Sequence, residues 1–144
     1  MKKTILFSMV IAFIFASCSQ KNVKSPVEGA WKLVGITTVS GDTVRNYGVK
    51  EMGAQIKMWT TDHFSFTGIW NADTTDLYGC GTYTLNGADY AEKITFHNVK
   101  SMINTVYKAK LEIRNDTLYQ TNHDVDAAGK EIENTYTTEK YTKL

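Results

Sequence analysis

Gly79-Cys80-Gly81-Thr82-Tyr83-Thr84-Leu85-Asn86-Gly87-Ala88-Asp89-Tyr90-Ala91-Glu92-Lys93-Ile94-Thr95-Phe96-His97 reads as two runs rich in Thr, Tyr, Ile and Phe with Asn86-Gly87 between them. Alternation on both sides of an Asn-Gly pair is the local signal for two antiparallel strands joined by a primed hairpin turn, whose backbone twist suits the strands it connects. One side chain in two faces each side of such a ribbon, so Tyr90, Glu92, Ile94 and Phe96 share a face opposite Lys93, Thr95 and His97.

The same grammar extends in both directions. It predicts eight strands, at 30–39, 54–59, 63–70, 77–85, 89–97, 105–114, 117–123 and 131–143. The separators are Ser40-Gly41-Asp42, Thr60-Thr61-Asp62, Asn71-Ala72-Asp73, Asn86-Gly87, Asn115-Asp116 and a loop from Asp124 to Gly129. No segment sustains helical periodicity, which limits helix to a turn or so near 47–52 and 99–103. Short separators make sequence neighbours into sheet neighbours, and eight such strands hide their two edges most simply by closing. The expected fold class is therefore all-β, an eight-stranded antiparallel up-and-down barrel, with a two-sheet sandwich as the alternative. A barrel of this size holds packed side chains or one small ligand.

The N-terminus carries a different message. Met1-Lys2-Lys3, an apolar run from Ile5 to Phe15, and Ala16-Ser17 before Cys18 are the parts of an export signal. The apolar run covers roughly a dozen residues, short of the about twenty that a spanning helix needs. With a cysteine after the cut, the segment resembles a bacterial lipoprotein signal. That resemblance implies removal of residues 1–17 and lipid attachment at Cys18, with the protein held on the cell envelope, most naturally the outer membrane. Several acyl chains hold a protein to a bilayer far more firmly than one. Residues 18–28, polar and ending near Pro26, read as a tether, and residues 29–144 as a single domain.

Lys and Arg number 16 against 15 Asp and Glu. Without Lys2 and Lys3 the balance becomes 14 to 15, a formal charge near −1 that argues against a nucleic-acid surface. With Cys18 acylated, Cys80 has no partner in the chain and reads as a small buried hydrophobe.

Gly29-Ala30-Trp31, followed by Lys32-Leu33-Val34-Gly35, resembles the Gly-x-Trp signature that opens lipocalins and their calycin relatives. The Gly81-Thr82-Tyr83, turn, Tyr90-Ala91-Glu92 stretch is similar to that of lipocalin-like domains of bacterial lipoproteins. The resemblance implies an up-and-down barrel with Trp31 closing its base beneath a basic residue of the last strand, Lys140 or Lys143.

Alternation also suggests which side chains face the interior. Phe64, Phe66, Gly68 and Trp70 share one face of the third strand, and Tyr107, Ala109, Leu111 and Ile113 one face of the sixth. Leu118, Gln120 and Asn122 are expected inward from the seventh, and Ile132, Asn134 and Tyr136 from the eighth. An apolar wall interrupted by a few polar groups describes a small-molecule site. The candidate ligand-binding set is Trp59, Phe64, Phe66, Trp70, Tyr90, Glu92, Tyr107, Gln120, Asn134 and Tyr136. Buried polar members of this set must bond to one another, to water or to a ligand.

Other chemistries find little support. His63, His97, His123 and Cys80 lack the spacing of a metal site, and the chain has no phosphate loop, nucleophile elbow or zinc-protease helix. No nucleophile, base and orienting group can be assembled from the inward residues. The expectation is a non-enzymatic lipoprotein without metal or cofactor, binding a small hydrophobic or amphipathic molecule inside the barrel. The alternative is a filled barrel whose long loops, Ser40 to Gly53 and Asp124 to Gly129, engage another envelope protein.

Overall fold

The computed structural model describes residues 24–70 and 75–144. The export signal, Cys18, the tether up to residue 23 and the Asn71-Ala72-Asp73 separator lie outside the described residues. Nine strands are present: β1 (Gly29–Ser40), β2 (Thr43–Tyr47), β3 (Gly53–Trp59), β4 (His63–Trp70), β5 (Thr75–Asn86), β6 (Asp89–His97), β7 (Val106–Arg114), β8 (Thr117–Val125) and β9 (Glu131–Lys143). A four-residue helix, α1 (Val49–Met52), and a 3₁₀ turn, η1 (Lys100–Met102), fall in the two places where short helix was expected.

Each strand from β3 to β8 pairs antiparallel with the next, and β1 pairs with β3 on one side and β9 on the other. The result is a closed eight-stranded barrel of β1 and β3–β9, and the sandwich alternative falls away. β2 is the ninth strand. Residues 40–53, expected as a loop, instead fold back: Thr43–Tyr47 pairs with the far half of β1, from Ser40↔Thr43 to Ile36↔Tyr47. β1 outruns β3, and the hairpin occupies the edge that β3 leaves free.

Both primed turns form. Asn115 and Asp116 have φ values of 48° and 61°, the pattern of a type I′ turn. In the β5–β6 hairpin the central pair is Gly87-Ala88, with positive φ at Gly87 alone (60°), the type II′ pattern, which places glycine first.

One end of the barrel is packed solid. Trp31, Leu33, Leu118 and Tyr141 are buried there with Trp59, Phe64, Tyr83 and Leu111. Val27, read from sequence as part of the tether, is 1% exposed and accepts a hydrogen bond from Trp31 Nε1 at 2.8 Å. It belongs to the barrel plug. Between the two basic residues considered for the base, the structure selects Lys143, whose Nζ lies 5.5 Å from the Trp31 ring centroid. Lys140 pairs with Gly35 and Tyr119, out of phase with buried Tyr141.

Three inward assignments are corrected. On β6, Gly81 pairs with Ile94 but Cys80 pairs with Phe96, so Thr95 is an extra residue. This bulge reverses the alternation. Phe96 therefore emerges 64% exposed on the outside, and His97 turns inward against Phe66, with ring centroids 5.5 Å apart. On β9 the interior takes Glu139 and Tyr141, opposite in phase to Tyr136 and Asn134. Tyr136 packs on the outer face beside His123, with centroids 5.4 Å apart, and Asn134 is exposed in a left-handed kink with φ 53°.

Candidate functional site

β3 is the strand that makes this interior unusual. Its burial alternates strictly, with Gly53, Gln55, Lys57 and Trp59 inside and Ala54, Ile56 and Met58 outside. Two polar side chains thus point inward while Ile56 and Met58 remain partly exposed. A buried lysine is uncommon unless paired. Lys57, 3% exposed, is paired to the Glu92 carboxylate and also donates to Gln120 Oε1 at 3.0 Å. Its ammonium lies 5.0 Å from the Trp59 ring centroid and 5.3 Å from that of Phe64, where ring faces offset part of the lost hydration.

From this pair the network runs in both directions. Trp59 Nε1 donates to the Tyr90 hydroxyl at 2.7 Å, and that hydroxyl donates to Glu92 Oε1 at 2.5 Å. On the other side Gln120 Nε2 donates to Glu139 Oε2 at 3.0 Å, Tyr141 donates to the same oxygen at 2.8 Å, and Gln55 Nε2 donates to the Tyr141 hydroxyl at 3.2 Å. Four strands, β3, β6, β8 and β9, contribute to this belt, which divides the packed end of the barrel from the open end.

The belt's electrostatics follow from burial. Desolvation raises the pKa of Tyr90, with Glu92 adding to it, and raises that of Tyr107, with Glu139 adding to it. Tyr141 is raised by burial and then by Glu139, so all three phenols are neutral, and Tyr90 and Tyr141 act as donors to the two carboxylates. Burial lifts the Glu139 carboxyl above the usual carboxylate value despite the opposing pull of Lys57 and the Tyr141 hydrogen bond.

Above the belt the barrel opens into a cavity of about 350 Å³. Its floor is Gln55, Lys57, Glu92, Gln120 and Glu139; Phe66, Trp70, Ile94, Tyr107 and Met102 form most of its wall. Asp76 and Trp70 stand at the rim, and residues Val99 and Met102 bring the η1 segment across the mouth. His97 Nδ1 accepts the Val99 amide at 2.8 Å, and burial lowers its pKa, so the ring is a neutral part of the wall.

The ten candidate residues separate by height. Phe66, Trp70, Glu92, Tyr107 and Gln120 line the cavity. Trp59, Phe64 and Tyr90 are buried beneath it, supporting the belt from below. Asn134 and Tyr136 lie elsewhere, for the reason of phase given above. Sequence reasoning missed Gln55, Lys57, His97 and Glu139. Trp59 could have revealed the first two, because it shares their face at two-residue spacing; Ile56 and Met58 pull the pattern the other way. Among the described residues no cluster of three or more His, Cys, Asp or Glu side chains could hold a metal ion.

No protein-family model matches the chain, and a search of curated proteins finds no relative.

Proposed function

We propose that this protein is a lipid-anchored, lipocalin-like binding module of the bacterial cell envelope that holds a small amphipathic molecule in the open end of its barrel. The observation that carries the reading is the cavity itself. Its volume of about 350 Å³ lies within the range of about 300–1,000 Å³ typical of ligand sites. Aromatic walls over a polar floor would bury a tail and orient a head. The floor is built on strands rather than loops, which favours a preformed site. The role proposed is binding without catalysis: Lys57 and Glu92 neutralise each other, and no nucleophile stands beside a base in the floor. The lipid anchor at Cys18 rests on the signal at residues 1–18.

Native mass spectrometry of the protein purified from its own host, with solvent extraction of the sample, tests the binding role. A copurified small molecule supports it, and a uniformly empty barrel that no amphiphile enters removes it. Cys18→Ala is expected to release the protein from the membrane fraction; unchanged fractionation rules out the anchor.

A second reading has one observation in its favour. Met58, Ser65, Cys80 and Phe96 are direct cross-strand neighbours across β3, β4, β5 and β6, and they line an outer groove with Phe96 64% exposed. Exposed apolar surface of this kind suits contact with another envelope component. In that case this strand face, rather than the long loops, would carry it.

A further inference from the structure

Taking the cavity to be a ligand site, as proposed above, we infer that it selects amphiphiles with a single cationic, ammonium-type head and discriminates against carboxylates and phosphates. Three carboxylates line the cavity, Asp76 at the rim and Glu92 and Glu139 in the floor, against one ammonium, that of Lys57. His97 adds no charge, and Lys100 on η1 is exposed and outside the lining.

The one ammonium is already committed. Lys57 is paired with Glu92, bonded to Gln120 and packed over the Trp59 and Phe64 rings. Two of its three N–H donors are used, and an anion taking the third would sit beside the Glu92 carboxylate and compete with it for the same positive charge. The carboxylates, in contrast, have acceptors to spare. Glu92 receives both Lys57 and Tyr90 on Oε1, and Glu139 receives both Gln120 and Tyr141 on Oε2. Among the described residues no protein donor reaches Glu92 Oε2 or Glu139 Oε1. A donor head entering the floor completes these two groups, whereas an anionic head adds a further acceptor to a surplus.

The walls act in the same direction. Phe66, Trp70 and Tyr107 line the path from rim to floor, and aromatic faces attract cations. A cleft with low-dielectric walls and charge of one sign concentrates the opposite charge within it. The ammonium head also restores electrical balance in the floor when Glu139 is ionised.

The test compares octylamine, octanol and octanoate, which share a tail and differ in head, by calorimetry and tryptophan fluorescence on the purified full chain. Octylamine is expected to bind more tightly than octanol on the order of tenfold at low salt, with octanoate weakest. Raising the salt narrows the first gap, mainly through the exposed rim. Glu139→Gln and the rim variant Asp76→Asn are each expected to weaken octylamine binding more than octanol binding, so that the preference for the amine shrinks. Should Glu139→Gln fail to fold, Asp76→Asn and the three-ligand ranking still decide. Equal binding of amine and alcohol, or tightest binding of octanoate, overturns the charge selection and leaves the amphiphile site standing. An amine preference unchanged in every folded variant also overturns it. Failure of all three to bind removes both the selection and the site.

Discussion

The two ends of this barrel are built from the same strands and solve opposite problems. At the packed end, Trp31, Leu33, Leu118 and Tyr141 are each no more than 2% exposed, and stability there comes from apolar burial. At the open end those strands carry Gln55, Lys57, Glu92, Gln120 and Glu139, whose polar groups are supported by one another. A barrel's fold and its cavity can thus be placed at separate heights on one set of strands. The polar belt is the boundary, since it seals the core below and presents unfilled acceptors above.

A single substitution does most damage at the packed end. Trp31→Ala should lower stability by about 3–5 kcal/mol, the cost of emptying a large aromatic site in a packed core. Chemical denaturation measures this, and a loss below about 1 kcal/mol would mean that the plug formed by Val27 and Lys143 is not needed for closure. Breaking the belt should cost nearly as much. Lys57→Met leaves Glu92 without its counter-charge, and removal of one partner from a buried pair costs about 3–5 kcal/mol. Restoring stability by combining Lys57→Met with Glu92→Leu distinguishes the stranded charge from lost packing. Full additivity of the two losses would remove the pairing explanation.

Smaller effects sharpen the contrast. A Cβ at Gly81 would lie 2.0 Å from the Lys93 carbonyl oxygen, beside the bulge that sends His97 inward. Gly81→Ala is therefore expected to cost about 1–3 kcal/mol and to alter the chemical shifts of His97 and Phe66. Unchanged shifts and stability would show that the bulge does not depend on this close approach. At the rim, Trp70→Ala should change stability by less than about 1 kcal/mol while weakening amphiphile binding; the reverse outcome would make Trp70 structural.

The weakest effect concerns pH. The Glu139 carboxyl is raised by burial, so the native state holds its proton at pH values where the unfolded chain has lost it. The associated stability is complete below the unfolded pKa and declines as pH rises through the folded one. Glu139→Gln removes that decline. Matched urea titrations across the range just above ordinary carboxylate values should show the wild-type protein losing stability relative to the variant as pH increases. Parallel profiles would contradict the raised carboxyl.

Legibility followed from how much each strand committed to one face. On β7, Leu111 and Ala109 opposed Lys110, Lys108 and Glu112, and the structure keeps that assignment. On β9, Tyr136 and Tyr141 have opposite phase and threonine falls on both faces, so the pattern offered no choice. On β3 the apolar residues Ile56 and Met58 are on the outer face, contrary to the usual preference. Half of the candidate site emerged from sequence because Phe66, Glu92, Gln120 and their neighbours lie on well-marked strands. The rest depended on Lys57 and Glu139, which look like surface residues until their partners from other strands are present.

By itself the sequence determined the number of barrel strands, their antiparallel order and the hairpin turns, because turn chemistry and period-two alternation act over a few residues. Tertiary structure alone decided the β2 hairpin, the Thr95 bulge that exchanges Phe96 for His97, and the partnership of Lys57 with Glu92. The physical reason is range. A buried charge is tolerable only when its counter-charge arrives from a strand 35 residues away, and no local pattern contains that condition.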